Sequence, residues 1–199
     1  MSKVEQTHPA GLLHPFPIPE QKWESISMDF TTGLPKVFGK DYIFLVVDRL
    51  TKFANLFYVT TTFNVAQVVE LFFKEVFILH RLPKSIVSDR DNIFLSAFWK
   101  ELFKMVGENL TPSTSYNPQT DGQSERVIQW LEGYLMNYVS GQQKASIKWL
   151  HLGEFCYNTI FHMSIGMSPF KEIYGYDAST FIDHIFGDSR YPKAKYWIE

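Results

Sequence analysis

Three carboxylates stand at positions where structure alone does not ask for an acid. Asp29 lies in the alternating stretch Ile26-Ser27-Met28-Asp29-Phe30, a strand pattern in which aspartate is depleted. Asp89 ends the short run Ile86-Val87-Ser88-Asp89, and strand ends are where α/β folds build their sites. Glu125 falls in the first turns of a predicted helix entered from a polar loop. The intervals are 59 residues between Asp29 and Asp89 (30 to 88) and 35 between Asp89 and Glu125 (90 to 124). Hard divalent cations such as Mg²⁺ or Mn²⁺ take oxygen ligands, usually one or two carboxylates with water and substrate phosphates. Two such ions about 3.5–4 Å apart can serve both the attacking and the leaving oxygen of an in-line phosphoryl displacement. With 21 acids in the chain, spacing leaves two readings open: a two-metal carboxylate site, or three acids satisfied separately at surface and turn.

Bringing these acids together requires a sheet with helices packed on it. In Ile26 to Phe30 the alternation puts Ser27 and Asp29 on the face opposite Ile26, Met28 and Phe30. Tyr42 to Val47 is apolar on both faces, as in a central strand covered on two sides. Phe53 to Thr60 alternates again, and the short links predict an antiparallel meander for these three strands. Apolar residues at helical spacing follow from Asn64 to Phe77, with Pro83 as the stop and residues 86–89 as a buried strand. Helices are predicted over Ser96–Val106 with Phe98, Leu102 and Met105 on one side, from the end of the 109–122 loop to Tyr138, and over Ser146–Phe161. The buried seam of the third is predicted as Val127, Leu131, Tyr134, Leu135 and Tyr138. The pattern is an α/β layered domain.

Composition narrows the function classes. The chain has 199 residues, 45% of them hydrophobic and 20% charged, which suits one globular domain. Nineteen basic and 21 acidic side chains give a net charge of −2, against a module that holds nucleic acid by bulk electrostatics but not against a local site. The single cysteine, Cys156, excludes a disulfide framework and any zinc site needing two cysteines. The longest apolar run, Tyr42 to Val47, is far short of the roughly 20 residues of a membrane span, so no membrane partner is expected. Pro9, Pro15, Pro17 and Pro19 mark residues 1–22 as a Pro-rich arm or linker.

The text around the acids is informative as a whole. Trp23-Glu24-Ser25-Ile26-Ser27-Met28-Asp29-Phe30, Ile86-Val87-Ser88-Asp89-Arg90-Asp91 and Tyr116-Asn117-Pro118-Gln119-Thr120-Asp121-Gly122-Gln123-Ser124-Glu125-Arg126 together resemble the integrase catalytic core of gypsy-type LTR retrotransposons, with plant elements nearest. Tyr138 to Gln143, Gly166 to Phe170 and Tyr174-Gly175-Tyr176 continue the resemblance, which runs from about Lys3 to Trp197. The family's Asp, Asp, 35 residues, Glu pattern falls on Asp29, Asp89 and Glu125.

The resemblance implies a ribonuclease H-like fold: a five-stranded mixed sheet, its first three strands antiparallel, with helices on both faces. Periodicity finds four strands, so the fifth is expected at Glu108-Asn109-Leu110-Thr111. The implied chemistry is 3′-end processing and strand transfer on DNA, in which Asp29, Asp89 and Glu125 are the catalytic and metal-holding residues. Element ends and target DNA are the implied partners, with a homodimer or higher oligomer working in the nucleus. Family integrases also carry a zinc-binding domain before the core and a DNA- or chromatin-binding region after it. No zinc site is expected here, and the chain reads as an isolated core: an arm over 1–22, the core over 23–176 and an extension over 177–199. The alternatives are a ribonuclease H-like nuclease and a degenerate core serving as a non-catalytic DNA-binding or dimerisation module.

Residues beside the three acids carry further expectations. Asp121, Gln123, Ser124, Arg126 and Gln129 are candidate DNA contacts, Arg126 through phosphate; helix capping by Asp121 or Ser124 is the competing role. Glu132 shares the Gln129 side and would repel phosphate. Asp91 reads as a turn residue, and Arg90, Lys52 and Asn117 are weaker phosphate candidates. His80, His151, His162 and His184 show no ligand spacing and are expected to pack or face solvent. Cys156 is expected in the core.

Overall fold

A computed structural model of the chain describes residues 18–31, 40–60, 62–88, 92–106, 115–117, 122–139 and 146–179. Its centre is a mixed five-stranded sheet: β1 (Ser25–Thr31), β2 (Lys40–Asp48), β3 (Ala54–Thr60), β4 (Ser85–Val87) and β5 (Ser115–Asn117), in the order β3-β2-β1-β4-β5. β1, β2 and β3 form the predicted antiparallel meander, with Met28 opposite Val46 and Leu45 opposite Leu56. β4 runs parallel to β1 and β5 parallel to β4. The fifth strand lies inside the stretch predicted as loop over 109–122. Glu108 and the three residues after it, where the strand was expected, lie outside the described residues.

Five helices complete the fold: α1 (Val65–Phe72), α2 (Asn92–Val106), α3 (Gly122–Val139), α4 (Ser146–Thr159) and α5 (Pro169–Tyr174). α1 opens on a capping box. Asn64 Oδ1 accepts from Gln67 N at 2.9 Å, and Gln67 Oε1 accepts from Asn64 N at 3.0 Å, so two orphan donors are satisfied reciprocally. The helix then continues as a π-helical turn over Phe73–Phe77. α2 starts four residues earlier than its periodicity predicts, and α4 ends at Thr159, not Phe161.

Alternation divides the core in two. Ile26, Met28, Phe44, Val46 and Val59 face Val68, Phe72, Phe98, Trp99 and Leu102 of α1 and α2. Ile43, Leu45, Val47, Ala54, Leu56 and Tyr58 face Val127, Leu131, Leu150 and Tyr157 of α3 and α4. β2 is thus buried on both faces, as its unbroken apolar run requires. Met105, predicted with Phe98 and Leu102, is exposed at the end of α2. Among the described residues no helix is long and apolar enough to cross a membrane.

Candidate active site

The register of β1 with β4 organises the candidate site. Ser25, Ile26 and Ser27 stand opposite Ser85, Ile86 and Val87. The start of this pairing is fastened from several sides. The Ser85 hydroxyl donates to Ser25 Oγ at 2.7 Å, Arg49 Nη1 donates to the same oxygen at 3.0 Å, and Arg49 N donates to the Ser25 carbonyl at 3.0 Å. Lys84 N donates to the Glu24 carbonyl at 2.7 Å, and the Lys84 ammonium pairs with the Glu24 carboxylate. Below this pairing Asp48, fully buried, accepts from Trp23 N at 3.0 Å, Thr51 N at 3.2 Å and the Thr51 hydroxyl at 2.7 Å. Trp23 meets it with a φ of 61°. A left-handed backbone at a tryptophan is tolerated only where its surroundings over-determine it.

Asp29 sits further along β1, opposite Leu45 of β2 and half-buried, and its Oδ1 accepts from Phe30 N at 2.6 Å. Glu125 is in the first turn of α3, exposed, and α3 packs across β1 and β2. Asp89 lies outside the described residues, as do Arg90, Asp91 and Asp121. Among the described residues no group of three or more His, Cys, Asp or Glu side chains could hold a metal ion. Two of the three expected carboxylates are therefore located, one on the sheet and one on the helix crossing it.

The candidate DNA contacts on α3 divide by helix phase. Arg126, Gln129 and Glu132 are exposed, and Gln123 belongs to the same first turn as Glu125. Ser124 is 5% exposed. It lies on the buried side of α3 with Val127 and Leu131, three and seven residues later.

Two polar residues that pattern reading passed over prove structural. Glu154 and Asn158, one turn apart on α4, bind the open edge of β3. Leu56 N donates to Glu154 Oε2 at 2.7 Å, and Ala54 N donates to Asn158 Oδ1 at 2.8 Å. Burial, with a contribution from the Glu75 carboxylate, pushes the Glu154 pKa up to about 7. The available signal was an acid and an amide at i, i+4 beside the core positions Leu150 and Tyr157.

His80 stacks on Trp23 with ring centroids 3.7 Å apart, and burial lowers its pKa to about 4. His162 packs edge-on against Tyr157 and bonds its carbonyl, its pKa lowered chiefly by burial. His151 is exposed, and His184 lies outside the described residues. Cys156 is half-buried, where the core was expected. Lys52 donates to the Arg49 carbonyl at 2.7 Å.

No family model matches the chain. By sequence it is 35% identical over 176 residues to the Transposon Tf2-3 polyprotein of Schizosaccharomyces pombe, and equally to the Tf2-4 polyprotein. The matched stretch covers 88% of this chain but 13% of either polyprotein. By fold it is similar to a chain of the simian T-cell lymphotropic virus intasome in complex with PP2A regulatory subunit B56 gamma, with a TM-score of 0.62 at 14% identity over 87% of this chain and 61% of that one. It is also similar to the HTLV-2 integrase catalytic core domain in complex with magnesium (dimeric form), with a TM-score of 0.54 at 14% identity over 77% of this chain and 97% of that one. By sequence the chain is thus similar to one stretch of the Tf2 transposon polyproteins, and by structure it shares the ribonuclease H-like fold of the retroviral integrase catalytic cores.

Proposed function

We propose that the chain is the catalytic core of a transposon integrase, a polynucleotidyl transferase that trims DNA ends and joins them to target DNA with Mg²⁺ or Mn²⁺. Asp29, Asp89 and Glu125 are its catalytic, metal-holding carboxylates. The parallel register of β1 and β4 carries this reading. Ser27 and Val87 are the last paired residues of β1 and β4, and Asp29 and Asp89 each follow two positions later in the sequence. α3 crosses β1, with the exposed Glu125 in its first turn.

The donor set suits a hard divalent cation, since all three side chains offer carboxylate oxygen and none offers sulfur. Bound there, the cation supplies charge stabilisation for in-line phosphoryl displacement. The chain's own residues supply placement. Asp29 stands on a strand paired with β2 and β4, its carboxylate steadied by the Phe30 amide. Arg126 and Gln129, exposed on α3, meet the DNA backbone, Arg126 through phosphate, with Asp121 and Gln123 at the same junction. The homologous stretch is one part of a longer polyprotein in the relatives. The working form is taken as a homodimer or higher oligomer acting on nuclear DNA, with residues 23–176 as its core.

The test is joining and resolution of a branched DNA that mimics the strand-transfer product, in Mn²⁺. The chain is compared with Asp89→Asn and Glu125→Gln. Joined DNA strands that vanish in both variants support the reading. Activity that persists in the variants, or cleavage of RNA in an RNA–DNA hybrid without DNA joining, overturns it.

A further inference from the structure

We propose that Ser27 is a positioning residue for the carboxylate site: its small side chain sets how closely the first turn of α3 approaches β1, and so whether Glu125 reaches Asp29. The inference rests on the metal-site reading above and deepens it. Ser27 pairs with Val47 and Asp29 with Leu45, so Ser25, Ser27 and Asp29 line the sheet face that α3 and α4 cover. On that face β2 and β3 present Ile43, Leu45, Val47, Leu56 and Tyr58, whereas β1 presents two serines and an aspartate.

Hydrogen bonding does not explain the serine at 27. Ser25 Oγ accepts from Arg49 and Ser85, but Ser27 is 1% exposed and its hydroxyl has no hydrogen-bond partner among the described residues. A buried, unpaired hydroxyl is unfavourable against an alanine of nearly the same size. What the site obtains from it is space.

The helix above repeats the pattern. α3 carries the buried Ser124 immediately before Glu125, and the larger Val127 and Leu131 only further along. Further along, α3 meets α4 beside it on the same sheet face, at Gly153, where an added Cβ would lie 3.2 Å from two ring carbons of Tyr134. Close-packed interiors register a single added methyl group. A larger residue at 27 therefore lifts the first turn of α3 and carries Glu125 with it.

The test is a Mn²⁺ titration of the full chain followed by electron paramagnetic resonance, with thermal unfolding measured in parallel without metal. Ser27→Ala is expected to bind Mn²⁺ as the unsubstituted chain does, with an unchanged or higher Tm. Ser27→Val is expected to weaken binding at least tenfold while unfolding cooperatively, and Ser124→Gly in that background to recover part of the loss. Equal weakening in Ser27→Ala would assign the role to the hydroxyl and overturn the proposal, as would undiminished binding in Ser27→Val. If the valine variant fails to fold, Ser27→Thr decides by the same criteria. Failure of the unsubstituted chain to bind Mn²⁺ refutes the metal site itself, an outcome distinct from equal binding by all variants.

Discussion

Asn158 of α4 holds Ala54 at the open edge of β3 with both ends of its amide: Ala54 N donates to Oδ1 at 2.8 Å, and Nδ2 donates to the Ala54 carbonyl at 2.8 Å. One turn earlier Glu154 takes the Leu56 N–H. An edge strand presents a row of unpaired backbone groups that invites pairing with another chain, and α4 closes that row with side chains. The same helix receives Tyr134 of α3 at Gly153. A chain of contacts therefore runs from the sheet edge through α4 to the helix that bears Glu125.

Replacing Asn158 by leucine keeps the volume and strands the Ala54 N–H and carbonyl in a buried setting. Each unsatisfied group costs about 1–3 kcal/mol, so Asn158→Leu is expected to lose about 2–4 kcal/mol in urea unfolding. Asn158→Asp, which restores the acceptor alone, should fall between. A loss below about 0.5 kcal/mol for the leucine variant would show that the edge is not held this way.

Glu154 predicts a pH dependence of stability. Its folded pKa of about 7 lies above the ordinary 4.5, so the fold favours the protonated carboxyl. That contribution is complete below pH 4.5 and is lost as pH rises through 7. The shift corresponds to a cost on the order of 3 kcal/mol at pH 8. Glu154→Gln keeps an acceptor for Leu56 N and carries no charge, so its stability should fall less between pH 5 and pH 8. Equal slopes for the two proteins would refute the assignment. Glu75→Gln should move the transition toward lower pH, because the Glu75 charge is one of its causes.

His80 acts on the acid side. Burial against Trp23 depresses its pKa from 6.5 to about 4, so the fold favours the neutral ring. Its contribution is present above pH 6.5 and is lost as pH falls toward 4. His80→Phe preserves the stack and is expected to flatten the acid limb of the stability profile measured by thermal unfolding. An unchanged acid limb would place the loss elsewhere.

Gly153 separates two opposing effects. Alanine is about 1 kcal/mol more favourable than glycine inside a helix, but its Cβ would lie 3.2 Å from the Tyr134 ring and 3.4 Å from Leu131 Cδ1. Gly153→Ala is expected within about 0.5 kcal/mol of neutral, since the ring can yield by a few tenths of an ångström. Gly153→Leu cannot be absorbed so and should cost about 2–3 kcal/mol, with weakened Mn²⁺ binding through displacement of α3. A leucine variant as stable as the parent would show α3 and α4 to be loosely packed.

Where a residue's role depends on its immediate neighbours, it was legible in the linear order. The alternation from Ile26 to Phe30 and the unbroken run from Tyr42 to Val47 specify strands and their buried faces, because side-chain direction in a strand follows from the backbone period alone. The helical spacing that begins at Asn64 is likewise local, and the structure adds the Asn64–Gln67 capping box at its start. Roles decided by long-range packing were not. Ser124 turns inward because α3 must lay Val127 and Leu131 on the sheet, a burial that the linear order alone does not fix. Glu154 and Asn158 carry no local signal of their role, which appears only when β3, some hundred residues earlier, arrives with unpaired backbone groups. β5 is too short to show periodicity and exists because β4 offers it an edge. Local stereochemistry sets the elements and their faces; which polar group is buried, and against what, is settled only when distant segments compete for the same hydrogen bonds and the same space.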